Sequence, residues 1–101
     1  MSPTMHERLS HERRRLILEA LQQDSGYRMN EASMKAVLEH LGHTVGADQV
    51  RAELGYLERH QLVRVDTIAS GDRDLRVAVL TEAGQDVARG VAHEGVARRR
   101  A

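Results

Sequence analysis

Six histidines in 101 residues invite a metal reading, with His40 and His43 beside Glu39 and His60 farther along. A zinc site needs clustered Cys, His or carboxylate ligands. Here cysteine is absent and Gly42 is expected to end the helix between His40 and His43, so no metal site is expected. The lack of cysteine also removes disulfides and thiolate nucleophiles. The chain carries no nucleophile elbow, phosphate loop or Gly-rich dinucleotide turn, and no carboxylate pair in a recognisable frame. We therefore expect no catalytic residues, no cofactor and no enzyme activity. What remains is arginine and glutamine chemistry, which suits phosphates and the acceptor and donor edges of bases. The runs Arg13-Arg14-Arg15 and Arg98-Arg99-Arg100 are the densest basic stretches. Consecutive residues fan out around a helix, so at most two of Arg13 to Arg15 share a face. That run reads equally as a phosphate contact or as a solvated face with Glu12 and Glu19 as neighbours.

Such residues act only when a fold places them, and composition bounds that fold. Fifteen Lys plus Arg balance 15 Asp plus Glu, and apolar residues make up 41% of the chain. This is one small domain whose core must be aliphatic, because Tyr27 and Tyr56 are its only aromatics. No apolar run approaches the roughly 18 residues of a membrane span, and Met1 to Arg15 lacks a signal peptide's apolar stretch. A cytoplasmic protein is expected. A zero net charge is unusual for a small nucleic-acid binder.

Residues 1–10 read as a flexible lead-in to a helix that starts between Met5 and Ser10. Leu9, Leu16, Ile17, Ala20 and Leu21 repeat at helical spacing as far as Gln23, and Asp24-Ser25-Gly26 stops them. Tyr27 to Met29 is a brief extended segment. Asn30 is a suitable N-cap for a second helix carrying Met34, Val37, Leu38 and Leu41, which Gly42 ends. In the third helix, Val50, Leu54 and Leu57 form a narrow apolar stripe, and Gln49, Arg51, Ala52, Glu53, Tyr56 and Arg59 are placed opposite it. Alternation from Val63 to Ile68 and from Leu75 to Leu80, around Ser70-Gly71-Asp72-Arg73, predicts a β-hairpin. Thr81 caps a last helix that runs towards Gly95, where Gly84, Gly90 and Gly95 each cost about 1 kcal/mol relative to Ala. Residues 96–101 are expected to be a disordered basic tail.

Residues as well as element order support a resemblance. The segment from Gly46 to Val63, with a small cap, the Val50/Leu54/Leu57 stripe and a Leu62-Val63 pair, resembles the recognition helix and first wing strand of bacterial winged helix-turn-helix regulators. Leu80-Thr81-Glu82-Ala83-Gly84 is similar to the Leu-Thr-x-x-Gly start of the final helix in MarR-, PadR- and ArsR-like families. The chain is also similar to small winged-helix proteins of Mu-like prophages. Two departures stand out: the Leu41 to Val50 connection is about two residues long of the compact motif, and Gln61 replaces a helix-ending glycine.

The resemblance implies an α+β winged-helix domain over residues 11–95, with a three-helix core, a hairpin wing and a final helix. It implies a sequence-specific regulator that binds double-stranded DNA with helix 47–60 in the major groove and the 62–80 hairpin as wing. Carried over position by position, Gln49, Arg51, Ala52 and Tyr56 would face DNA, with Arg73 and Arg76 on the wing. Because Leu16, Ile17 and Leu18 cannot all face one core, Leu18 is expected to meet a partner, in a homodimer joined through the first and last helices. The competing expectation is a protein-interaction or assembly module that keeps the fold without DNA readout.

Overall fold

The computed structural model describes Ser2 and residues 4–98. Its elements run α1 (Met5–Gln23), β1 (Arg28–Asn30), α2 (Glu31–His40), α3 (Ala47–Arg59), β2 (Val63–Ser70), β3 (Arg73–Leu80) and α4 (Glu82–Ala88). The class is α+β, as expected: four helices and an antiparallel sheet of order β1-β3-β2 among the described residues. No helix there is long and apolar enough to cross a membrane.

Local chemistry sets the helix ends. Thr4 Oγ1 accepts from the Glu7 amide at 3.1 Å while the Glu7 carboxylate accepts from the Thr4 amide at 3.4 Å, a capping box. Residues 5–10 are consequently helical, at the early end of the Met5 to Ser10 range expected for the start of this helix. Asn30 caps α2 by accepting from the Ser33 amide at 2.8 Å. At its other end the amides of Gly42 and His43 bond Glu39 O and Leu38 O, closing a Schellman motif with Gly42 at φ 95°. The end of α3 has the same design, with Gln61 at φ 62° in the glycine position.

In the sheet, Arg28 to Asn30 pairs with Val79 to Val77, and Val63 to Ser70 pairs with Leu80 to Arg73 across the two-residue loop Gly71-Asp72. Ile17, Leu18, Leu21, Met34, Leu38, Leu54 and Leu57 are completely buried over the inner face of this sheet. Leu18 therefore belongs to the core and does not await a partner; Leu16 is the half-buried neighbour. The reason is that α1 touches α2, α3, α4 and β3 together, so adjacent positions 100° apart both meet protein.

The C-terminal region also departs from expectation. α4 stops at Ala88, with Gly90 at φ 122°, and Val91 is exposed. The chain then returns: Val96 is buried in the core and the Ala97 amide donates to His11 O at 3.0 Å. Residues 96 and 97 are thus packed, against the expected disordered tail from 96, because Val96 supplies apolar area that the short α4 does not. Arg98 is exposed, and Arg99, Arg100 and Ala101 lie outside the described residues.

Candidate nucleic-acid interface

Asp48, Arg51, Ala52 and Arg59 are exposed on α3, opposite buried Val50, Leu54 and Leu57. Beside this face the β2–β3 hairpin stands clear of the core, since every residue from Thr67 to Leu75 is exposed. Between the hairpin and the N-terminal ends of α2 and α3 lies an open cleft of about 550 Å³. Lys35, Arg51, Arg73 and Arg76 line it, facing Glu31, Asp72 and Asp74. Four cations against three carboxylates make it weakly basic, although the whole chain is neutral.

One carboxylate organises this cleft. Arg51 grips Glu31 through Nη2 to Oε1 at 3.1 Å and Nε to Oε2 at 3.4 Å, and Arg76 Nε donates to the same Oε2 at 3.1 Å. Glu31 thereby ties α3 and β3 to the start of α2. Its hydrogen bond and charge raise the Arg51 guanidinium above its ordinary pKa. Arg73 at the hairpin tip has no carboxylate within ion-pair distance among the described residues.

The six positions carried over from the resemblance therefore separate. Arg51, Arg73 and Arg76 meet in the cleft, and Ala52 is exposed on the outer face of α3. Gln49 and Tyr56 do not join them. Gln49 donates to Glu53 at 2.9 Å, and Tyr56 lies 3.6 Å beneath the Arg14 guanidinium and stacks on His60 at 4.2 Å. Both residues look towards α1 and the C-terminal segment, away from Arg51.

Glu53 was expected on the exposed side of α3 and is instead 2% exposed. Arg14 Nε reaches it at 3.0 Å and Arg13 Nη1 at 3.5 Å, while Arg14 Nη1 also donates to Gly95 O at 3.0 Å. The Arg13 to Arg15 run is thus largely spent inside the protein, with Arg15 held by Glu19 at 2.7 Å. A signal for Glu53 was present: it lies three residues after Val50 and four before Leu57, on the buried stripe itself. Glu31 had none, because its partners are 20 and 45 residues away.

Among the described residues no group of three His, Cys, Asp or Glu side chains is placed to hold a metal ion. His60 and His93 meet edge to face at 5.1 Å beside Tyr56, which is aromatic packing at the seam between α3 and the returning chain.

No protein-family model matches the chain. It is similar to the uncharacterized protein gp26 of Escherichia phage Mu, with 38% identity over 82 residues. The match covers 81% of this chain and 80% of the relative, and a likeness of that extent makes the chain a member of the phage Mu gp26 family.

Proposed function

We propose that this protein is a phage-encoded winged helix-turn-helix regulator that binds double-stranded DNA in a sequence-specific manner. In this reading α3 enters the major groove, the β2–β3 hairpin is the wing, and two copies act together as a homodimer in the bacterial cytoplasm. The observation that carries the reading is the exposed face of α3 standing beside a free hairpin, with Arg51 and Arg73 on opposite walls of one cleft. Element order and the antiparallel order β1-β3-β2 agree with it. In this reading the contacts are Arg51, Ala52 and Arg59 on α3 with Arg73 and Arg76 on the wing. Gln49 and Tyr56 serve packing. With Asp48 in the first turn of α3 and Glu31 on Arg51, the helix carries little net charge, so affinity is modest and depends on the wing and on pairing of two copies.

Titration of labelled fragments of the phage and host genomes at low salt tests the proposal. Arg51→Ala should relax sequence preference, whereas Arg73→Ala should weaken all duplexes alike and lower the salt slope by about one. No binding at micromolar protein would refute it. A second reading, an assembly module, draws on the apolar groove between α1 and α2, lined by Leu16, Ala20, Val37 and a 48% exposed Leu41. It predicts a stable complex with a protein and indifference to DNA.

A further inference from the structure

The strongest unexplained feature of the cleft is that its best-placed cations are already occupied. Glu31 offers both carboxylate oxygens to Arg51 and one of them also to Arg76, all within 3.4 Å. A fork of this kind is the same geometry by which arginine grips a phosphate or the O6/N7 edge of guanine. Glu31 is also rigidly held. Its predecessor Asn30 pairs with Val77 in the sheet and caps α2 through the Ser33 amide, so the Glu31 backbone cannot follow the arginines outward. As the first residue of α2, Glu31 has its negative charge further favoured by the helix dipole. Arg51 is 58% exposed and Arg76 31%, so DNA approaching the cleft reaches both, whereas Glu31 is 19% exposed beneath them.

We propose that Glu31 is a specificity-determining residue that acts as a built-in competitor for Arg51 and Arg76. Resting on the DNA-binding reading, the inference is that a stray phosphate does not displace the carboxylate. A duplex releases the two arginines only when it offers acceptors to both, in register with the rest of α3 and the wing. The Glu31 carboxylate thus suppresses non-specific binding and leaves Arg73 as the sequence-independent contact.

The experiment compares the wild-type chain with E31Q and with D86N. The latter removes one negative charge from a distant, exposed α4 pair with Arg89 and serves as the control for net charge. Binding to a non-specific duplex is followed by anisotropy between 50 and 200 mM salt. Freeing one or two arginines steepens the salt slope by about 0.9 per new phosphate contact, so E31Q should lose roughly 3- to 12-fold more affinity over this range than wild type. It should also bind non-specific duplex more tightly at 50 mM and show a smaller ratio of specific to non-specific affinity. D86N should match the wild-type slope. An E31Q slope equal to that of D86N, or weaker binding by E31Q, overturns the proposal.

R76Q supplies a second measurement that does not depend on E31Q folding: with Arg76 already occupied, its slope on non-specific duplex should be unchanged, and a fall of about 0.9 would mean that Arg76 is free. If no variant binds duplex, the DNA reading fails by itself. Elution from immobilised heparin then tests the competition alone: E31Q leaving at higher salt than D86N upholds Glu31 as a competitor of polyanions for Arg51 and Arg76, and co-elution rejects it.

Discussion

Replacing Gly84 by alanine sets two effects of opposite sign against each other. In an exposed helix interior the change is worth about 1 kcal/mol in favour of alanine. In α4, however, a Cβ on Gly84 would run into the carbonyl oxygen of Leu62 and come within 2.7 Å of Leu80 Cδ1. The Leu62 carbonyl cannot rotate away, because it is backbone that joins the end of α3 to β2 and accepts from the Thr81 amide at 3.2 Å. Relief requires α4 to lift, which strains that bond and the 2.7 Å bond from Thr81 Oγ1 to Gln61 O. Overpacking costs about 1–3 kcal/mol, and each weakened hydrogen bond adds about 1 kcal/mol. After subtraction of the propensity gain, Gly84→Ala should destabilise the fold by about 2–4 kcal/mol, a fall in Tm of roughly 10–30 °C for a domain of this size. Gly55→Ala in α3 is the matched control. Its Cβ meets only the far end of the Arg59 side chain at 3.3 Å, so here propensity should win by up to about 1 kcal/mol. Urea and thermal denaturation of both variants measure the difference. Gly84→Ala equal to or more stable than wild type would refute the reasoning.

Glu53→Gln should cost about 3 kcal/mol in urea denaturation, since it leaves the Arg13 and Arg14 guanidinium groups half-buried without their counter-charge; a loss below about 1 kcal/mol would mean that the ion pairs contribute little. Gln61→Gly should stabilise by about 1 kcal/mol, because only a residue without a Cβ adopts φ 62° freely, and an unchanged urea midpoint would count against strain there. On β2, the hydrogen bond from Arg64 at 2.9 Å holds the Asp66 carboxyl below its ordinary pKa. The stability this group lends is therefore complete above the ordinary aspartate range and is lost as the pH falls through its depressed folded value. Carboxyl NMR titration should show Asp66 moving up in Arg64→Ala, and an unaltered titration would assign the shift to another cause.

Much of the architecture was written locally. Asn30, Gly42 and Thr81 each sit where their backbone chemistry requires, and the alternation of Val63 to Ile68 and Leu75 to Leu80 marks both strands because the side-chain period of a strand is two. The Thr4-x-x-Glu7 capping box is equally local, although the stretch around it has no apolar period to mark a helix. Gln61 signalled itself by standing in the place of a glycine. Position along α3, in contrast, does not tell which way a polar residue between core and surface will turn. Gln49 and Tyr56 border the buried stripe, and their direction was set by Glu53, Arg14 and His60.

Element types, their order and the apolar stripes follow from period, caps and turns, interactions that span a few residues and are visible in any short window of this chain. The use of its charges does not follow in that way. Arg13 and Arg14 close on Glu53 about 40 residues later, Arg76 on Glu31 45 residues earlier, and Val96 packs back beneath α1. Each of those outcomes depends on which distant partner the packed helices bring within 3.5 Å, and an ion pair is strong only at such range. For that reason the neutral composition concealed two different arrangements: a buried cluster that joins α1 to α3, and an open cleft whose arginines are held by one carboxylate.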